Sequence, residues 1–236
     1  MTSSPSEIGK FTALRLDRIV ETDAHEGPVC EQGTFDEAAR ISLVDRETGE
    51  AETLVEDADG LPLNSPNDVV VARDGAVWFT DPSYGWLQGF RPEPQAPDRV
   101  YRYDPASRSL TVVAQSLDKP NGLAFSPDER VLYLGDNGAP HHLLAFEVEG
   151  GARLVRGREV AVSTPEHPDG IKVDRDGRIY ASSAGGIEVL TPAGVVIGEI
   201  ELPGAVNFTF GGPDEDVLYV TADTAVWAAT LDRNRP

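Results

Sequence analysis

Apolar residues along this chain either alternate with polar ones or run in blocks of four to six, rich in Val, Ile, Leu, Phe, Tyr and Trp. Gly, Pro and Asp punctuate the blocks. Alternation and short apolar runs bounded by turn formers are strand signals, and the 3.6-residue period of a helix is almost absent. With 23 Gly and 18 Pro in 236 residues, a turn signal falls every few positions. The pattern predicts an all-β, many-stranded antiparallel protein.

One phrase recurs four times: a Pro-Asn, Pro-Asp or Val-Asn step, an apolar run, an Asp-containing turn and a second apolar run. The copies are PNDVVVARDGAVWFTDPSYG from Pro66, PNGLAFSPDERVLYLGDNG from Pro120, PDGIKVDRDGRIYASSAGG from Pro168 and VNFTFGGPDEDVLYVTADT from Val206. Each copy opens a unit readable as four strands. In the first, these are Val69 to Ala72, Val77 to Thr80, Arg99 to Asp104 and Leu110 to Gln115. Asp74-Gly75 between two apolar runs is a hairpin cue, because those residues tolerate φ > 0. Trp86 to Asp98, with three prolines, reads as an ordered loop on one face, a candidate lid.

The anchors Asn67, Asn121, Asp169 and Asn207 are spaced by 54, 48 and 38 residues, the size of a propeller blade. Blades pack face to face around a channel, so equivalent positions converge on the axis. The expectation is one β-propeller domain over residues 1–236. Its four-stranded antiparallel blades are expected at about 26–57, 67–116, 121–163, 169–202 and 207–231, with residues 1–20 supplying a closing strand. The first unit is irregular. HEGPV puts Glu26 at its anchor, but CEQGTFDEAAR follows at once, and only 15 residues separate Glu26 from Ile41.

Charge narrows the partners. Twenty Lys+Arg against forty Asp+Glu give a net charge of −20, which repels phosphate backbones and argues against nucleic acid. No apolar stretch reaches the length of a membrane span, and MTSSPSEIGKF lacks the basic and apolar regions of a signal peptide, so a cytoplasmic protein with no membrane partner is expected. The single cysteine, Cys30, excludes an internal disulfide and reads as a small buried apolar residue. Oligomeric state is left open.

The strings HEGPV, CEQGTF, SPNDVVVARDGAVWFTDPSYG, KPNGLAFSPDERVLYLGDNG and HPDGIKVDRDGRIYASSAGGIEVL, in this order, resemble the gluconolactonase/regucalcin-type lactonase family from about Glu21 to Leu231. The resemblance implies a six-bladed propeller with a divalent cation, usually calcium, on its axis, hydrolysing sugar-acid and related lactones. It implies Glu26, Asn121 and Asp169 as metal ligands, Asn67 beside the metal or substrate, and Asp169 as general base. The chain departs from the family in two places. An anchor unit between EGPV and CEQG is missing, leaving five units, and Ser65 stands where regucalcin-like members carry a substrate-binding arginine.

The residues argue the same chemistry directly. Glu26, Asn121, Asp169 and Asn67 form an all-oxygen set, and hard oxygen donors suit Ca²⁺, Mg²⁺ or Mn²⁺ better than Zn²⁺. Calcium heads the expectation, with Mg²⁺, Mn²⁺ and Zn²⁺ as alternatives. Such an ion polarises a lactone carbonyl while Asp169 activates water. The chain holds no G-x-S-x-G nucleophile elbow. Trp78 and Phe79 read as blade core, and Tyr84 and Trp86 as an apolar wall over the substrate. His25 and His167 flank ligand candidates, and His141-His142 is placed at the channel mouth. The alternative reading is a non-catalytic or impaired propeller that binds metal or a small ligand.

Overall fold

The structure, a computed structural model, describes residues 15–19, 27–45, 48–139, 141–162, 168–222 and 225–231. The apolar blocks become strands, and the strands assemble into five antiparallel blades of a β-propeller. Among the described residues the first blade is three-stranded: β1 (Arg15–Ile19) belongs elsewhere, and β2 (Gly27–Glu31), β3 (Arg40–Val44) and β4 (Ala51–Val55) pair in order. A two-stranded hairpin of β5 (Asp57–Ala58) and β6 (Leu61–Pro62) follows it. The second blade holds β7 (Val69–Val71), β8 (Val77–Asp81), β9 (Arg99–Asp104) and β10 (Ser109–Gln115). Between β8 and β9 lies a one-turn helix, α1 (Tyr84–Leu87).

The third blade holds β11 (Pro120–Phe125), β12 (Val131–Asp136), β13 (His142–Glu149) and β14 (Arg153–Val162). The fourth holds β15 (Ile171–Val173), β16 (Ile179–Ser183), β17 (Gly186–Leu190) and β18 (Val196–Glu201). The fifth is built from β19 (Ala205–Gly211), β20 (Val217–Ala222) and β21 (Ala225–Thr230), with β1 as its outermost strand. β1 runs antiparallel to β21, Arg15 opposite Thr230 and Ile19 opposite Val226. The innermost strands β2, β7, β11, β15 and β19 succeed one another around the axis.

The irregular first unit resolves simply. Val29 and Cys30 are neighbours on one continuous strand, β2, paired with Ser42 and Ile41. Cys30 packs against the core between the first two blades, and burial raises its thiol pKa well above the usual value. A thiol held neutral in this way is inert.

Sheet faces bury both ways, which is why β8 reads as an unbroken apolar run. Successive strand residues point to opposite faces. Trp78 therefore joins the core shared with the third blade, and Phe79 the core shared with the first. Trp78 meets Phe125 edge-on with centroids 5.4 Å apart, and Phe79 stacks on Tyr101 at 5.2 Å. Two further clusters join the third blade to the fourth and the fourth to the fifth.

The first hairpin of four blades uses one turn geometry. Gly75, Glu129, Gly177 and Glu215 all adopt left-handed φ, between 54° and 85°, and each donates its N–H to the carbonyl three residues back. The long segment after α1 is fastened by Arg91, which is buried. Its guanidinium donates to the carbonyls of Leu63, Asn64, Thr34 and Glu37 at 2.9–3.0 Å, tying the loop to the first blade. Among the described residues no helix is long and apolar enough to cross a membrane.

Candidate active site

Asn67 lies just before β7, Asn121 on β11 and Asp169 just before β15, each at the axial start of an innermost strand. They line one cavity of about 450 Å³, together with Tyr84, Gln88, Asn137, Ser182, Ser183 and the Gly204–Val206 turn. Three anchors from three blades thus converge on one spot.

Hydroxyls on the second strands hold the anchor segments. Ser182 Oγ accepts the N–H of Asp169 at 2.8 Å and of Gly170 at 3.1 Å. Thr80 Oγ1 accepts the N–H of Asp68 at 3.1 Å, and Thr221 Oγ1 that of Asn207 at 3.2 Å. These bonds reveal a register shift in the fourth copy of the repeat. Asn207 occupies the slot of Asp68, not of Asn67: each caps the N–H of the next residue with its own side-chain Oδ1. Val206 takes the anchor position and lines the cavity. Gly122 and Gly170 need to be glycine, because a Cβ there would collide with the carbonyl oxygens of Asp169 and Val206 respectively.

Electrostatics set Asp169 apart. Burial pushes its pKa up to about 6, the Asp68 carboxylate adds to the rise, and a hydrogen bond from Asn121 and the charge of Lys172 oppose it. Lys172 is a built-in cation. Its Nζ stands 3.6 Å from Asp68 Oδ2 and donates to Asn207 Oδ1 at 3.3 Å and to the Ile171 carbonyl at 3.0 Å.

Tyr84 contributes polar as well as apolar surface. Its hydroxyl oxygen accepts Nδ2 of Asn137 at 2.9 Å and of Asn121 at 3.4 Å. Both amides are buried, at 4% exposure for Asn121 and 6% for Asn137. Both Oδ1 atoms lie out of solvent without a hydrogen-bond partner. Burial raises the Tyr84 pKa, so the phenol stays protonated.

Trp86 departs from the expectation of an apolar wall. It is 46% exposed and does not line the cavity. Residues two apart on a helix face opposite sides, whereas residues four apart share one; with Tyr84 on the cavity, Gln88 joins it and Trp86 cannot. Ser65 is fully buried, donating to the Pro82 carbonyl at 2.7 Å and accepting the Gly85 N–H at 2.9 Å, which anchors the start of α1. His142 sits on β13, 2.7 Å from Glu159, and is not part of the cavity lining. Glu26, His25 and His167 lie outside the described residues.

Sequence reasoning passed over Asn137, Gln88, Ser182 and Lys172. Asn137-Gly138 reads as a turn dipeptide, which hides the use of its side chain. The hydroxyl signal was present: Thr80 and Ser182 each follow their anchor by thirteen residues.

Among the described residues no group of three His, Cys, Asp or Glu side chains is placed to hold a metal ion. The oxygen set at the cavity is therefore rich in amides, with Asp169 as its carboxylate.

Residues 15–224 match the family model described as SMP-30/Gluconolactonase/LRE-like region. The chain belongs to this family. Within the SMP-30/gluconolactonase group, a lactonohydrolase of Aspergillus oryzae is 31% identical over 204 residues, covering 76% of this chain and 47% of that protein. The gluconolactonase of Zymomonas mobilis is 32% identical over 171 residues, covering 68% and 48%. The chain spans about half the length of these curated relatives. The gluconolactonase XC5397 of Xanthomonas campestris superposes with a TM-score of 0.78 at 40% identity, covering 87% of this chain and 68% of that one. Regucalcin of Agrobacterium tumefaciens shares the fold at 19% identity and a TM-score of 0.68, covering 84% and 71%.

Proposed function

We propose that this chain hydrolyses a small sugar-acid or related lactone at the axial cavity, with a divalent cation, calcium first, as cofactor. One observation carries the reading: the Asp169 carboxylate sits in a polar axial cavity beside two buried amide oxygens that lack any donor. The relatives named as gluconolactonases and lactonohydrolases support the substrate class. The cavity volume of about 450 Å³ falls within the usual range of small-molecule sites, roughly 300–1,000 Å³.

The residues fit a hard cation. Buried acceptors without partners are costly unless an occupant complements them, and an acceptor-only set of amide and carboxylate oxygens complements a cation better than it complements another acceptor. Asn121 and Asp169 would hold the ion, with Glu26 as the third ligand implied by its motif. Bound there, the ion would supply Lewis-acid polarisation of the lactone carbonyl.

The remaining work falls to the chain itself. Asp169 takes the proton from the attacking water at its carboxylate, and general-base help of this kind is worth about 10²–10⁴-fold. Its position is fixed by Ser182 through its own N–H and by Asn121 through its carboxylate. Asn67 offers an amide to the substrate, and Gln88, just after α1, a second one. The Tyr84 ring closes one side of the cavity. Ser182 is committed to the backbone of Asp169 and Gly170, so it holds the base in place and does not serve as a nucleophile.

A second reading, a propeller that binds metal or ligand without turnover, is favoured by the three-stranded first blade. Lactone turnover by the wild-type chain separates the two, and Asp169→Ala tests the base. Loss of lactone hydrolysis at least 10²-fold supports the enzyme reading, and turnover equal to wild type removes Asp169 from the mechanism.

A further inference from the structure

Two amides and one phenol form a unit that the residue motifs do not reveal. Nδ2 of Asn137 and Nδ2 of Asn121 converge on the single oxygen of Tyr84, at 2.9 and 3.4 Å. The Asn121 amino group also serves the Asp169 carboxylate. Both Oδ1 atoms are left buried without a partner.

One unpaired amide oxygen survives any choice of amide orientation. A phenol has one proton, so Tyr84 can donate to at most one amide oxygen. Whichever way the two amides are turned, at least one carbonyl oxygen remains without a donor. The observed orientation leaves both oxygens for an occupant of the cavity that Asn121, Asn137 and Asp169 line together. Three acceptors, one of them a carboxylate, define a cationic occupant.

We infer that Asn137 is a further oxygen donor to the cation of this site, and that the Tyr84 hydroxyl is a positioning residue that turns the Asn121 and Asn137 carbonyl oxygens toward it. The inference rests on the cation-assisted reading above. Tyr84 acts through the amides: both amide N–H groups point at its oxygen.

The geometry makes a distinctive demand. An amide has one oxygen, so its orientation matters, whereas a carboxylate presents oxygen on both arms. Removing the Tyr84 hydroxyl therefore harms an asparagine at position 137 more than an aspartate.

Calorimetric titration of the full chain with Ca²⁺ tests this, using wild type, Asn137→Ala, Asn137→Asp, Tyr84→Phe and the double variant, with melting curves in EDTA to check folding. The expected results are a loss of affinity of about tenfold or more in Asn137→Ala and affinity at or above wild type in Asn137→Asp. Tyr84→Phe should weaken binding about three- to tenfold in the wild-type background and less in the Asn137→Asp background. Affinity within twofold of wild type in a folded Asn137→Ala variant overturns the inference and leaves the cation reading standing. No calcium binding by wild type at millimolar metal overturns both. If Asn137→Ala does not fold, the Tyr84→Phe arm decides alone, and an unchanged Kd there overturns the positioning role.

Discussion

The Lys172 ammonium stands 3.6 Å from the Asp68 carboxylate, joining the fourth blade to the second beside the cavity. The same nitrogen donates to Asn207 Oδ1 on the fifth blade. One side chain thus links three of the five blades, and it offsets the acid that raises the proton affinity of Asp169. Apolar cores fill the space between blades, and near the axis polar links such as Leu123 N–H to Asp68 Oδ2 and Gly170 N–H to the Val206 carbonyl add register.

Lys172→Met removes the clasp and leaves the Asp68 carboxylate, which is 10% exposed, without its cation. Asp68 keeps its two backbone N–H donors, from Val69 and Leu123, so the cost stays below that of a stranded buried charge. A loss of about 1–3 kcal/mol is expected, with Tm falling roughly 2–4 °C per kcal/mol. Adding Asp68→Asn to Lys172→Met should recover part of the loss. Thermal unfolding of the four proteins measures the coupling, and strictly additive effects would show the pair to be idle.

Ser182→Ala and Thr221→Val remove equivalent hydroxyl clamps from two blades, but only Ser182 holds a proposed catalytic group. Ser182 is buried and Thr221 exposed, so Ser182→Ala should cost about 1–3 kcal/mol and Thr221→Val, where water replaces the hydroxyl, less. Activity should separate them. A misplaced base costs Ser182→Ala about tenfold or more in kcat, and Thr221→Val should stay near wild type. Matched melting curves and lactone turnover test the contrast, which fails if both variants lose activity equally.

Asp81 governs part of the pH dependence of stability. It is 1% exposed, and burial pushes its pKa up to about 7, against the bonds it accepts from the Asn64 and Ser65 N–H groups. The unfolded chain releases this proton near pH 3.9, so the folded state binds more protons between the two values. Its contribution is therefore fully present below about pH 4 and is lost as pH rises toward 7. Asp81→Asn should flatten the Tm-against-pH curve across this window, relative to wild type. An identical slope in the two proteins would mean that Asp81 ionises normally in the fold.

Arg91 is a structural cation in the loop that carries α1. Replacing it with Ala takes the guanidinium donor from the carbonyls of Thr34, Leu63 and Asn64 and from that of Glu37, which keeps the Thr34 N–H. A loss of about 2–4 kcal/mol is expected, together with faster proteolysis between residues 88 and 98. Arg91→Lys should recover little, because an ammonium cannot reproduce the planar fork. Full stability in Arg91→Lys would contradict this account of the loop.

Much of the fold was legible because strand periodicity and turn chemistry agree locally. The second blade shows it best. The apolar run Val77 to Thr80 and the Asp74-Gly75 turn predict β8 and its hairpin to within a residue. The convergence of Asn67, Asn121 and Asp169 follows from their equal place in equivalent blades. What the residues did not disclose depends on distant partners. Asn207 shares the repeat's spelling, yet its hydrogen bonds with Thr221 and Lys172 put it one position off. Trp86 looked like Tyr84's companion until a single helical turn rotated it outward. Asn137 reads as a turn former, and only the Tyr84 hydroxyl, 53 residues away in sequence, shows its use.

If the axial cavity hydrolyses lactones with a bound cation, chelation removes the activity. Hydrolysis of an aldonolactone such as glucono-δ-lactone would be followed by acid release above the uncatalysed rate, before EDTA, after EDTA and after calcium is restored. Turnover is expected in the first state, loss to background in the second and recovery in the third. Hydrolysis unaffected by EDTA, or no turnover of any aldonolactone with calcium in excess, would contradict it.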